Sequence, residues 1–533
     1  MSLQTKQEGV PKASARGKRR IWKWLGISLL LAIIVLTTVA EIVLHHATPI
    51  LKGRVIETLS TRFQSKVELD ALDVSILHGL QVTGGGLRIY PPDDVIAAGA
   101  THPLIAVKHF DFRAGIMGLF IKPMHVDSVY VSGLVIHIPP KEYRQQAAEK
   151  PKKHHGKIKI KVGQILCDDS QLIIGTAKPG KDPKIFALQH IVMHDVGPGG
   201  AWPYDATLTN AVPTGNIHAV GTFGPWNIES PGDSAVTGNY TFDHADLGTI
   251  RGIGGILTSK GNFKGQLNRI DVEGDTDTPA FTLDTANHPV PLETHFHAIV
   301  DGTSGDTYLQ PVAATLGESK FTCSGAVVNI KGKGHQIDID VDVPAGQIQD
   351  FLNLAVKTQP PVMNGTLQMK AKLNIPPGKQ SVTQKIGING GFELTRIHFT
   401  NPAVEDKIDM LSLRAQGKPG EAHPGAVDVH SRMRGSFVLR SGQLTFSRLD
   451  YSLPGATINL AGQYTLDGRK FAFTGKVRTK AELSKMVSTW WKSLLLKPVD
   501  PFFHKHGAGA EIPVKITGTK GSPKFGLDLG GKD

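Results

Sequence analysis

The chain has 533 residues, is 40% apolar and 20% charged, and carries a formal charge of +12. Half of that charge sits in residues 1–23, where Lys6, Lys12, Arg16, Lys18, Arg19, Arg20 and Lys23 face only Glu8. The rest is spread over some five hundred residues with no arginine-rich helix or aromatic-flanked basic platform, which argues against nucleic acid binding.

Trp24 to Ala40 is an uninterrupted apolar run, and it extends from Ile21 to Leu44 if Lys23 snorkels and Glu41 lies at the far interface. A membrane-crossing helix needs about 20 such residues. The basic flank predicts a cytoplasmic N-terminus and a large domain on the far side. Residues 41–49 offer a poor cleavage site, so the run is expected to be a retained anchor over 24–46. Trp22 and Trp24 are its interfacial contact candidates.

After the anchor, Leu51, Val55, Leu59 and Phe63 recur every four residues and predict a short amphipathic helix. From Val67 the period changes to two. Ile158, Ile160 and Val162 alternate with lysines; Ile337, Ile339, Val341 and Val343 alternate with aspartates; Leu367, Met369, Ala371, Leu373 and Ile375 alternate with polar residues. Such strands are dry on one face and wet on the other. Further strands are expected at 134–138, 281–284, 393–399, 408–413, 437–446, 457–466 and 471–477. The 59 Gly and 33 Pro supply turns.

The fold class is therefore mainly β: an N-terminal transmembrane helix followed by a long, curled, mostly antiparallel sheet around an apolar groove, with few short helices. If strand and turn take roughly 13 residues, residues 65–529 hold about 35 strands, and a 4.8 Å spacing gives a sheet on the order of 170 Å long. A closed sandwich is the alternative. The regions run as a cytoplasmic tail (1–23), the anchor (24–46), a membrane-proximal β region (47–140), a polar loop (141–156), a central β region (157–350) and a C-terminal β region (351–533).

Two helices are expected within the late β regions. Residues 348–356 place Ile348, Phe351, Leu352 and Ala355 on one side, as core support. Residues 481–496 carry an apolar arc with Trp490 and Trp491 beside lysines, suiting lipid contact, the end of a groove, or packing on the same domain.

The order of segments resembles the AsmA-like family of envelope proteins, relatives of TamB and of the bridge-like lipid transfer proteins. The likeness rests on the anchor, the stretch Leu51 to Glu57, Val67 to Asp70 with the strand at 72–76, a hairpin at Val126 to Pro139, and Ile512 to Thr519 followed by Ser522 to Phe525. It implies a bacterial inner-membrane protein whose periplasmic sheet moves phospholipid or another acyl lipid toward the outer membrane. The alternative it leaves is a non-enzymatic scaffold for outer-membrane or envelope proteins. Groove candidates are Ile337, Ile339, Val341, Leu367, Met369, Leu373, Ile458, Leu460, Phe471 and Phe473.

Other chemistry finds little support. Asp338, Asp340 and Asp342 share a strand face and diverge, unlike ligands converging on calcium. The close histidine pairs, 154/155, 190/194, 295/297 and 504/506, lack a metal-site pattern. Cys167 and Cys323 are expected as separate thiols. Val82 to Leu87 and Gly252 to Gly255 read as turns and bulges between strands, and no nucleophile elbow is present. No enzyme, cofactor or metal site is expected.

Overall fold

A computed structural model of the chain describes residues 49–61, 65–76, 80–91, 102–115, 123–138, 160–175, 184–197, 199–226, 230–286, 288–466, 470–488, 509–519 and 522–527, with isolated positions at 30, 34, 35, 38, 39 and 96. Most of the expected anchor, the polar loop 141–156 and residues 489–508 lie outside them. No helix of the described residues is long and apolar enough to cross a membrane.

The protein is mainly β. Among the described residues, twenty-five strands make one large mixed sheet. β1 (Val67–Glu68) and β2 (Ala71–Ser75) both pair with β3 (Leu80–Ile89). The chain then runs through β4 (Ile105–Ala114), β5 (Met124–Ile138), β6 (Ile160–Ile174), β7 (Lys184–Val196), β8 (Trp202–Ala211), β9 (Thr214–Phe223) and β10 (Ala235–Asp246). The short β11 (Ile253–Gly254) stands beside β13, so β10 pairs directly with β12 (Ile256–Gln266). There follow β13 (Arg269–Leu283), β14 (Val290–Val300), β15 (Thr307–Leu316), β16 (Ser319–Ile330), β17 (Gly334–Gln347), β18 (Met363–Ile375) and β19 (Gly387–Phe399). The last six are β20 (Ser431–Arg440), β21 (Gln443–Leu453), β22 (Ala456–Thr465), β23 (Phe471–Thr479), β24 (Glu511–Thr519) and β25 (Ser522–Leu527). The sheet does not close on itself.

The alternation predicted for β17, β18, β22 and β23 is present. Among the described residues there are twenty-five strands against the expected figure of about 35, and most of them run to ten residues or more. From its first edge to β25 the sheet measures roughly 105 Å at 4.8 Å per strand.

Among the described residues every pairing is antiparallel except β5 with β6, where Met124 lies beside Ile160 and Ile138 beside Ile174. Parallel neighbours start at the same end of a sheet, so residues 139–159, which contain the charged excursion, connect opposite ends of strands roughly 50 Å long.

Residues 126–138 of the expected hairpin are instead part of the continuous β5. Gly133, at φ 64°, brings no reversal and no change of register: Ser132 pairs with His109 and Leu134 with Val107. The glycines of 82–87 also lie inside a strand, β3, with Gly86 at φ 66°. The single strand expected at 437–446 is a hairpin. Arg440 pairs with Gln443 across Ser441 (φ 49°) and Gly442 (φ 72°), the double positive φ that matches strand twist.

Helices line the margins. α1 (residues 49–61) packs Leu51 and Val55 of the predicted four-residue spacing, together with Ile56, against Leu69, Leu72, Val107 and Phe110, while Phe63 lies outside the described residues. α2 (Ile348–Ala355) buries Leu354 with Val290 and Leu316 and sets Phe351 against Phe321; Ala355 is exposed, contrary to expectation. α3 (Val382–Lys385) is one turn.

α4 (Pro402–Ala415) replaces the strand expected at 408–413. Asn401 caps it by accepting from Ala403 N at 3.0 Å, Pro402 begins it, and Glu405 in its first turn accepts from Phe399 N at 2.8 Å. The expected helix 481–496 is also corrected where it is described: residues 483–486 form a 3₁₀ turn. The chain entering it is tied elsewhere, Lys480 N to Gly455 O and Ala481 N to Ala415 O, both 2.9 Å.

Candidate functional site, the apolar face of β17 to β23

Because directly paired residues share a face, the register decides where the apolar side chains gather. Across β17 to β23, one row reads Ile339, Leu373, Ile388, Leu439, Leu444, Tyr464, Phe471. The next reads Val341, Ala371, Gly390, Phe437, Phe446, Gly462, Phe473, and a third Val343, Met369, Phe392, Gly435, Leu449, Leu460, Gly475. A fourth joins Leu367, Leu394, Met433, Tyr451 and Ile458, while Ile337 pairs with Ile375 at the far margin. All ten predicted groove residues thus hold positions on one face.

They are not equivalent. Leu367 is buried in a cluster with Leu394, Ile397 and Tyr451, covered by Ala415, Ile408 and Leu411 of α4 and by Phe351 of α2. Met369 and Ile458 pack against that cluster. Phe473 is buried, with its ring 6.0 Å from that of Phe446. Ile337, Ile339, Val341, Leu373 and Leu460 are half-buried. The fourth row is core beneath a helix, and the first three leave a partly accessible apolar band.

A recurring arrangement shapes this face. In β19 and β20, Gly390 pairs with Phe437 and Phe392 with Gly435, a reciprocal exchange of ring and glycine. In β10 and β12, Gly238 pairs with Phe263 and Tyr240 with Gly261. A Cβ on Gly435 would stand 3.1 Å from the Phe392 ring, and one on Gly261 2.9 Å from that of Tyr240. Each ring therefore lies across a bare stretch of backbone, shielding it and leaving the strands free to bend. The sequence signal is Gly-x-aromatic, repeated at 238–240, 261–263, 390–392 and 435–437; alternation alone passes over it.

The opposite face is polar and ion-paired. Lys370 meets Asp342 at 2.8 Å, Lys372 meets Asp340 at 3.0 Å, and Asp338 accepts from Asn374 at 2.5 Å, so the three aspartates are a solvated face. A cleft of about 1000 Å³ follows Lys260, Asp275, His295 and Thr322 on this side. Asp301 accepts from Thr303 N at 2.8 Å in an ordinary turn. Asp450, almost fully buried, takes Arg448 at 2.6 Å, Asn459 at 2.7 Å and Arg434 at 3.2 Å, and Arg448 chiefly holds its carboxyl below the usual range.

No family model matches the chain, and neither a curated protein nor a solved structure matches it.

Cys167 on β6 and Cys323 on β16 are free thiols ten strands apart in chain order. Burial pushes the Cys167 thiol up to about 11, far from a nucleophile's range. Trp22, Trp24, Trp490 and Trp491 lie outside the described residues.

One cluster went unseen in the sequence. His398, Asp428 and His430 offer ligand atoms within 4.8 Å of one another at the edge of β19 and β20. The local signal is Asp-x-His at 428–430, two side chains on one side of an extended segment whose partner lies thirty residues earlier.

Proposed function

We propose that the apolar band of β17 to β23 binds the acyl chains of a membrane lipid, and that the chain works as a membrane-anchored lipid-binding or lipid-conducting protein of the bacterial envelope, without enzymatic activity. The observation that carries this reading is the alignment of three apolar rows over seven consecutive strands, in which Ile339, Val341, Leu373 and Leu460 are only half-buried. Each acyl CH₂ sheltered there contributes about 0.8 kcal/mol, while the head group stays in water. The curled sheet would form a groove around that band, with residues 24–46 holding its base at the inner membrane. The resemblance to AsmA-like proteins makes phospholipid the expected ligand and the outer membrane the expected destination.

A second reading, a scaffold for envelope proteins, draws on the unclosed sheet. Among the described residues β25 pairs only with β24, so one of its edges is available to a partner strand.

Photo-crosslinking groups at Leu373 and Leu460 test the first reading, with Ala461 on the opposite face as control. Phospholipid adducts from the first two alone support it. Protein adducts from β25 with no lipid adduct from either inward position would overturn it in favour of the scaffold.

A further inference from the structure

We infer that His398, Asp428 and His430 form a binding site for a divalent transition ion of the zinc class. His398 lies near the end of β19, and the pairing of Ile397 with Ser431 sets it across from His430, which enters β20. Val429 is buried in the core, so its neighbours Asp428 and His430 emerge together on the exposed side.

All three donor groups lie within 4.8 Å of one another, and one pair already stands at the spacing of neighbouring ligands around an ion. His398 Nδ1 is 3.5 Å from Asp428 Oδ1, and the two imidazole centroids are 5.4 Å apart at 80°. A nitrogen and an oxygen 3.5 Å apart make a poor hydrogen bond. Metal–ligand bonds of about 2.0–2.1 Å in a tetrahedron separate neighbouring donors by about 3.3 Å and the centroids of two bound imidazoles by about 5 Å. Closing the cluster onto an ion therefore needs only small rotations of exposed side chains.

α4 fixes the backbone from behind. Asp409 accepts from Val429 N at 3.2 Å, between the two ligands; Asp406 accepts from Gly425 N at 3.1 Å; Glu405 accepts from Phe399 N at 2.8 Å, beside His398. Glu405 Oε1 is also 3.5 Å from His398 Nδ1, adding negative charge. Two imidazoles and a carboxylate suit zinc, cobalt or copper better than calcium or magnesium, which prefer all-oxygen shells. Three protein ligands leave the fourth position to solvent.

The test uses the full chain, stripped with a chelator and carrying H154A and H155A to remove the histidine doublet of the polar loop. Cobalt titration is expected to give the visible ligand-field bands of a tetrahedral site at one equivalent, displaced by zinc. H398Q, H430Q and D428N should each weaken zinc binding at least about tenfold and lose the bands. Their metal-free melting temperatures should stay close to the parent's, because Asp428 and His430 are exposed and His398 is only half-buried. A parent with no cobalt bands overturns the site, and so do bands and zinc affinity that survive H398Q and H430Q together.

Discussion

The rings of Phe392 and Phe437 stand 6.0 Å apart, centroid to centroid, on adjacent strands, each directly opposite a glycine of the other's strand. Neither glycine position is vacant in the sense of tolerating a side chain. A Cβ on Gly390 would fall 2.6 Å from Lys370 O, and one on Gly435 2.7 Å from Arg448 O.

Gly435→Val should therefore destabilise β19 to β21 more than Phe392→Ala does, and the alanine substitution should itself cost about 2 kcal/mol or more. Protease protection and thermal midpoints of the two variants measure this. Equal stability of G435V and the parent would show that the rings do not constrain the backbone.

Face selection gives a second prediction. Leu460→Asp puts a charge on the apolar band, and Ala461→Asp puts the same charge one residue along on the solvated face. L460D should lower binding of a fluorescent phospholipid at least about tenfold, since a carboxylate resists desolvation, while A461D leaves it near the parent's. Similar losses from both would remove the assignment to one face.

The alternation of β17, β18, β22 and β23 was readable because half-wet strands must alternate, and all ten groove candidates fell on one face for that reason. Residues 408–413 were misread because Ile408, Met410 and Ser412 fit a two-residue period, although Asn401, Pro402 and Glu405 already spell a helix start. Covering Leu367 needed α4 in place, which no single strand's pattern reveals. Distant residues also hid the His398 cluster: its members meet only through the pairing of β19 with β20.

Acid should loosen the last strands. Lys476 at 2.6 Å and Arg478 at 2.8 Å hold Glu511 down to about 2, against an ordinary value near 4.5. A folded value below the unfolded one means this ion pair stabilises above about pH 4.5 and loses its effect as pH falls toward 2. Glu511→Gln should shift hydrogen exchange of β23 and β24 at pH 6 and match the parent at pH 2. A difference that persists at pH 2 would assign the effect to packing.

Thiol chemistry offers a fourth check. Cys167 is buried, and its raised pKa leaves almost no thiolate at pH 8, so a maleimide should label it only after denaturation. Cys323 is partly accessible, with its thiol also raised by burial, and should label slowly in the folded chain. Rapid labelling of Cys167 under native conditions would mean that β5 to β7 open.

Nearly every strand lies beside its neighbour in the sequence, and this makes the sheet mechanically one-dimensional. Each strand draws its stability from the two beside it, so cooperativity decays along the row as it does in solenoid repeats. Loss of β25 exposes β24 without disturbing β3, and the chain can assemble progressively, strand by strand. The parallel junction of β5 and β6 does not interrupt that row: Val129 and Val131 of β5 share one core cluster with Cys167 of β6, so β5 to β7 form a single cooperative stretch.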